Sequence, residues 1–284
     1  MYKSKYLFIY TNNFMIQSDF HLHTCFSGDS KSSIPSMIES AIKKGLTTIC
    51  ITDHQDFLYQ SPETDSTISF DLDIEQYFST LKHYQRQYHS QIELLIGVEL
   101  GLKQGIQTKL QNLINNYNFD FIIGSSHEVS GLDPYYPTYY KTLGEKTGLT
   151  KYFLSIIENI QIFHDFQVYG HLDYAARYLP NSSSYKASDY FDILDEAMKT
   201  LIQMGKGIEC NTSGLKSSFG HTNPHFDILK RYHELGGEIL TIGSDAHKPE
   251  HIAYGFEQIS EMLQAAGFRY YTVFREKRPE FIAL

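Results

Sequence analysis

Short apolar runs recur along this chain, and each ends on its C-terminal side in a side chain able to bind a metal. The first closes in Asp19-Phe20-His21-Leu22-His23. Later ones close in Thr52-Asp53-His54, Gly97-Val98-Glu99, Ser126-His127, Gly170-His171-Leu172-Asp173 and Ser244-Asp245-Ala246-His247. In an extended chain alternate side chains share a face, so His21 and His23 point the same way while Leu22 turns into packing. Two imidazoles aimed together make half a metal site. A lone His-x-His arises often by chance; here its meaning comes from the potential ligands that close the later runs.

Between these runs the pattern is helical. Pro35 opens a helix through Lys44 that stops at Gly45, the usual placement of Pro at a helix start and Gly just past its end. Further helices are expected over roughly Ile74 to Tyr88, Thr108 to Asn116, Leu149 to Phe163, Ser188 to Met204, Pro224 to Leu235 and His251 to Ala265, with a Tyr- and Pro-rich loop over Asp133 to Tyr140. Strands are expected over Ile16 to His21, Thr47 to Thr52, Glu93 to Val98, Phe119 to Ile123, Phe166 to Tyr169, Gly207 to Cys210 and Ile239 to Ile242; Phe268 to Phe274 reads as an eighth strand or a terminal ribbon. Strands alternating with helices imply βαβ crossovers and a parallel sheet. An open doubly wound sheet gathers chemistry near one switch point, whereas a barrel brings every strand end to one mouth. Ligand-type residues follow most of these strands, so the expected fold is α/β, a distorted (β/α)7 TIM-like barrel with a metal site at the C-terminal strand ends. No Gly-x-Gly-x-x-Gly follows the first strand and no P-loop appears, which removes support for a nucleotide cofactor.

The formal net charge of −9 argues against a protein that holds long nucleic acid, because phosphate neutralisation needs a basic surface. Cys25, Cys50 and Cys210 make a poor disulfide framework and suit a reducing compartment. The stretch Tyr6 to Ile16 is interrupted by Thr11, Asn12 and Asn13 and is too short to span a bilayer, so a cytoplasmic location is expected. Residues 1–15 read as an N-terminal extension and residues 16–284 as a single barrel domain.

From about Ile16 to Glu257 the chain resembles the PHP superfamily, the polymerase and histidinol phosphatase phosphoesterases. The resemblance rests on Asp19-Phe-His-Leu-His-Thr24, Thr52-Asp-His54, Gly170-His-Leu-Asp173 and Ile242-Gly-Ser-Asp-Ala-His247. Glu209-Cys-Asn-Thr-Ser-Gly214 and Asp227-Ile-Leu-Lys-Arg-Tyr-His-Glu-Leu-Gly-Gly237 point to its histidinol-phosphate phosphatase branch.

The resemblance implies a trinuclear site. One metal would take His21, His23, Glu99 and Asp245; a second would share Glu99 and take His127 and His171; a third would take Asp29, His54 and His247. Six imidazoles and three carboxylates without a required thiolate suit Mn, Fe or Zn better than calcium or an iron–sulfur cluster.

The implied function is metal-dependent hydrolysis of a phosphate monoester, L-histidinol phosphate, in histidine biosynthesis. Metal-activated water would attack phosphorus in line, with Glu99, Asp245 and His247 in the catalytic set. The proton donor to the leaving group stays open among a metal-bound water, His225 and Asp173. Arg177 is the expected phosphate ligand: Tyr174, Ala175, Ala176 and Tyr178 are an odd setting for a purely solvated charge. His221 and His225, after the sixth strand, are expected substrate contacts, while His83, His89, His164, His233 and His251 are expected in solvent.

Other readings are a PHP phosphoesterase acting on nucleotides or oligonucleotide ends, and a non-catalytic PHP binding module, which would be expected to have lost ligands. An amidohydrolase on a similar barrel would need a Lys at a strand end, and no expected strand ends in one.

Overall fold

Every residue of strand β1 (Ser18–Leu22) is buried, as parallel strands covered on both faces require. The computed structural model describes residues 16–60, 63, 65 and 68–284, so the expected N-terminal extension over residues 1–15 lies outside the described residues. After β1 the chain alternates through α1 (Ile34–Lys43), β2 (Thr48–Ile51), β3 (His54–Gln55), α2 (Ile74–Tyr88), β4 (Glu93–Gly101), α3 (Gln107–Asn116) and β5 (Phe121–Ser125). It continues through α4 (Pro137–Leu143), α5 (Glu145–Ile162), β6 (Val168–Tyr169), α6 (Phe191–Gln203), β7 (Gly207–Asn211), α7 (Phe226–Glu234), β8 (Leu240–Gly243), α8 (Phe256–Ala266), β9 (Tyr270–Arg275) and β10 (Arg278–Ala283).

Parallel pairing runs β1-β2-β4-β5-β6-β7-β8, with β3 continuing the path of β2 along β4. A parallel bridge between Leu22 and Ala246 joins the first strand to the segment after the last, and the His23 N–H donates to the Ala246 carbonyl at 3.0 Å. The result is a nearly closed barrel, as expected. Closure is at the C-terminal strand ends, where the ligand-type residues lie.

Local sequence explains the elements. Ser33 caps α1 by accepting from the Ser36 N–H, and Ile34, Met37, Ile38 and Ala41 bury one helical face. A register shift between Asp19 and Leu22 sets an extra residue of β1 against β2, the kind of bulge that re-aims side chains beside a site.

Several expected boundaries move. Pro137, expected in a loop, starts α4. Helix α7 begins at Phe226 rather than Pro224, because Asn223 bridges back to Asn211. Helix α8 begins at Phe256 rather than His251: Gly255 sits at φ +75°, a left-handed conformation that breaks the helix before it.

The C-terminal segment is a ribbon. Strands β9 and β10 pair antiparallel, and Phe274 stacks on Phe121, which meets Phe20 edge-on. Arg275 grips both oxygens of Glu93 at 2.6 Å, and the Thr272 hydroxyl accepts from the Leu240 N–H at 3.2 Å. Glu93, Phe121 and Leu240 are the first residues of their strands, so the ribbon packs on the N-terminal end of the barrel, away from the mouth. No helix among the described residues is long and apolar enough to cross a membrane.

Candidate metal centre

Glu99 stands at the centre of the mouth, fully buried near the end of β4. Its Oε2 lies 3.0 Å from His21 Nε2, 3.4 Å from His23 Nε2 and 3.1 Å from His54 Nδ1. Its Oε1 lies 3.2 Å from His127 Nε2 and 2.9 Å from His171 Nε2, and accepts a hydrogen bond from Ser125 Oγ at 2.7 Å. Each carboxylate oxygen therefore faces its own set of imidazoles. Asp245 Oδ1 lies 3.8 Å from His21, 3.5 Å from His23 and 3.5 Å from His247 Nδ1. Asp29 Oδ2 completes the group, 3.1 Å from His247 Nε2 and 3.8 Å from His54 Nε2.

All nine expected ligands thus meet in one continuous cluster. The His23 ring lies between those of His54 and His247, at centroid distances of 4.2 and 4.1 Å. Sets of three donors overlap, with His23 grouped both with His21 and Glu99 and with His54 and His247. Divalent cations fit this site on an independent observation: the buried nitrogens His23 Nε2, His54 Nδ1 and His247 Nε2 face carboxylate oxygens at 3.4, 3.1 and 3.1 Å yet make no hydrogen bond of proper geometry among the described residues. Leaving such atoms without a hydrogen bond costs free energy that a coordinated cation between nitrogen and carboxylate would recover.

The local charges oppose one another. Burial pushes the Glu99 carboxyl up, but His21, His127 and His54 beside it hold it well below the usual range. Burial likewise raises Asp245, and His21 with its imidazole neighbours overrides it downwards. His23 is pushed well down by burial and by His247 and His54, which favours the neutral imidazole a metal requires. Burial lowers His247, yet Asp29 and Asp245 carry it up to about 9.

Backbone geometry also marks the site. His171 and Asp245 have φ of +20° and +51°, uncommon for residues with a side chain and concentrated at functional positions. Gly243 permits the approach of β8 to β1 and β7, since a Cβ there would lie 2.4 Å from His21 Cβ and 2.5 Å from Glu209 Oε1.

Two buried carboxylates given no role in the sequence reading orient the ligands. Glu209 Oε1 accepts from His21 Nδ1 at 2.6 Å, while its Oε2 accepts from the His171 N–H at 2.9 Å. Asp56 Oδ2 accepts from His127 Nδ1 at 2.6 Å. Such partners fix ring orientation and raise ligand basicity. Both had a signal: Asp56 repeats the alternate-residue spacing of His21 and His23 after His54, and Glu209 is a charge inside an apolar strand.

A cavity of about 520 Å³ opens over the cluster, lined by Asp29, His54, Glu99, His127, His171, Asp245 and His247 on one side. Arg177 lines it too, with Nε donating to Asn223 Oδ1 at 2.9 Å, Nη1 3.8 Å from Asp245 Oδ2, and Nη2 buried without a hydrogen-bond partner. Tyr174 and Tyr178 flank the guanidinium at 5.7 and 5.8 Å. Lys216 and His251 also reach the cavity, where His251 is partly exposed.

His221 and His225, expected to touch substrate, are not among the lining residues. Their rings pack together at 4.5 Å, and the His225 ring caps α7 by accepting from the Asp227 N–H at 3.2 Å. Asp173, one of the open proton donors, is fully buried; it accepts from Asn223 Nδ2 at 2.6 Å and from the His225 N–H at 2.9 Å. It anchors the Asn223 that holds Arg177.

A parallel barrel that gathers imidazoles and carboxylates under an open cavity has the build of a metal-dependent hydrolase. The chain belongs to the PHP domain family, whose model matches residues 19–213. It is 33% identical over 261 residues to a probable histidinol-phosphatase of Clostridium acetobutylicum, covering 92% of this chain and 97% of that protein. Identity to the histidinol-phosphatase of Lactococcus lactis is 29% over 256 residues, 89% of this chain and 93% of that one. The crystal structure of histidinol phosphate phosphatase from Lactococcus lactis, complexed with zinc, L-histidinol and phosphate, superposes with a TM-score of 0.85 at 27% identity, covering 93% of this chain and 98% of that chain.

Proposed function

We propose that this chain is a histidinol-phosphatase: a metal-dependent phosphomonoesterase that hydrolyses L-histidinol phosphate to L-histidinol and phosphate in histidine biosynthesis. The observation that carries the reading is the convergence of nine side chains with nitrogen or oxygen donors, three of them with buried nitrogens that make no hydrogen bond among the described residues, beneath a cavity that Arg177 lines. The similarity to histidinol-phosphatases over most of the chain supports the substrate.

Residues 16–284 are taken as one barrel domain. Three divalent ions, Mn, Fe or Zn, are assigned to His21, His23, Glu99 and Asp245, to Glu99, His127 and His171, and to Asp29, His54 and His247. When bound, such cations supply a nucleophile from water near neutral pH and take up phosphoryl charge.

The chain's own side chains do the rest. Glu99 holds two groups of donors together through its separate oxygens. Arg177 presents a planar fork able to meet two phosphate oxygens, and Asp173 through Asn223 keeps that fork oriented. Ser213 Oγ donates to Asp245 Oδ2 at 3.0 Å, so the other oxygen stays turned towards the imidazoles. Burial of these groups strengthens each charge interaction relative to water.

The test is phosphate release by the metal-loaded enzyme from histidinol phosphate, compared with nucleoside monophosphates. Histidinol phosphate should have the highest kcat/KM; preference for a nucleotide overturns the substrate while leaving the site standing.

A further inference from the structure

The cavity wall across Tyr174 from the imidazoles holds a buried acid that, among the described residues, has no ion-pair partner. Asp133 is only 6% exposed and lines the cavity with Tyr59, Tyr135, Tyr136, Tyr174 and Tyr178. Its oxygens accept from neutral donors alone: Tyr59 Oη at 2.6 Å, the Tyr135 N–H at 2.7 Å and Tyr174 Oη at 3.2 Å. Among the described residues no Lys, Arg or His comes within ion-pair distance of it. A buried carboxylate is expensive unless a cation answers it at close range, and burial pushes this one up against the pull of its three donors and of the more distant His127. Two carboxylate oxygens offer about four acceptor positions, so the bonds present leave room for one more donor.

The surroundings suit a cation. Tyrosine faces attract ammonium and imidazolium groups, and Tyr174 links the two halves of the cavity: its hydroxyl meets Asp133 while its ring lies 5.0 Å from that of His171. Arg177 and Lys216 supply positive charge beside the imidazole cluster. The cavity is therefore polarised, with an anion-binding end at the donors and Arg177 and a cation-binding end one tyrosine ring away. We infer that Asp133 receives the cationic end of the substrate, making the site selective for phosphate monoesters that carry a protonated nitrogen. This rests on, and extends, the phosphomonoesterase reading above.

The experiment compares Asp133→Asn with the wild-type metalloenzyme on two matched substrates, an aminoalkyl phosphate and the alkyl phosphate of equal length, alongside histidinol phosphate. A hydrogen bond to a charged group is worth enough to shift kcat/KM by roughly tenfold to a hundredfold. The variant should lose about that factor in its preference for the amino substrate, with metal content retained. An equal loss on both members of the pair overturns the inference, since a purely structural role would damage both alike; no loss on either also overturns it. Should the variant not fold, the wild-type enzyme still decides, because equal kcat/KM for the two alkyl phosphates is incompatible with a cation receptor. Failure of the histidinol phosphate reading shows separately, as a preference for nucleotides over histidinol phosphate, and leaves the matched pair to judge Asp133.

Discussion

Glu209 is bonded to His21 at one oxygen and to the backbone of His171 at the other, 2.6 Å and 2.9 Å away. One buried carboxylate thus sets the ring of a ligand from β1 and the strained backbone of a ligand that follows β6. Loss of such outer partners typically costs 10–100-fold in metal affinity. Glu209→Ala should weaken metal binding by about that factor, measured by metal titration of the stripped protein, with much of the activity regained at saturating metal. Unchanged affinity would mean that His21 needs no such support.

Glu99→Gln removes the charge that both groups of imidazoles share. Turnover should fall on the order of 10²-fold or more, beyond what an outer partner contributes, and metal stoichiometry should drop. Full occupancy with a near-normal rate would take Glu99 out of the bridging position.

His54 and His247 both approach Asp29, at 3.8 and 3.1 Å. If they hold the same ion, His54→Ala and His247→Ala should resemble each other, and the double variant should cost far less than the sum. Simple additivity of the two losses in log kcat/KM would separate them.

Arg177→Ala should cost about 2–5 kcal/mol of transition-state binding, the price of truncating one side of a desolvated charge pair, and Arg177→Lys should recover only part because an ammonium cannot fork. Metal content should stay at the wild-type level. A kcat/KM within a few-fold of wild type would leave phosphate binding to the metals alone.

In the metal-free protein His247 is raised from 6.5 to about 9 by Asp29 and Asp245 against the effect of burial. A group whose folded value lies above its unfolded one stabilises fully below the unfolded value and ceases to do so as pH rises through the folded one. Thermal melting of stripped protein should therefore show a stability contribution present at pH 6.5 and lost towards pH 9, absent in His247→Gln. Metal binding displaces that proton, so affinity for the ion should rise across the same window. A flat difference between the two proteins over this range would sink the assignment.

The candidate ligands at strand ends were legible in the sequence because both rules that expose them are local, whereas Asp29 and the grouping of the nine by metal came only from the family resemblance. Alternation along a strand puts His21 and His23 on one face, and a βαβ repeat sends successive strand ends to the same side. The helix stop at Gly45 and the start at Pro35 obeyed the same short-range chemistry. What tertiary structure alone decided involves partners far apart in the chain. Glu209 reaches His21 across 188 residues, and Asp133 meets Tyr59 across 74. Such pairings depend on barrel closure between Leu22 and Ala246, which no single segment encodes. For the same reason His225, near the expected mouth by sequence, went instead to a helix cap with His221 packed against it, while His251, expected in solvent, lies partly exposed at the cavity wall. A side chain's neighbours across a barrel follow from strand register and loop path, and these are set by the packing of the whole molecule.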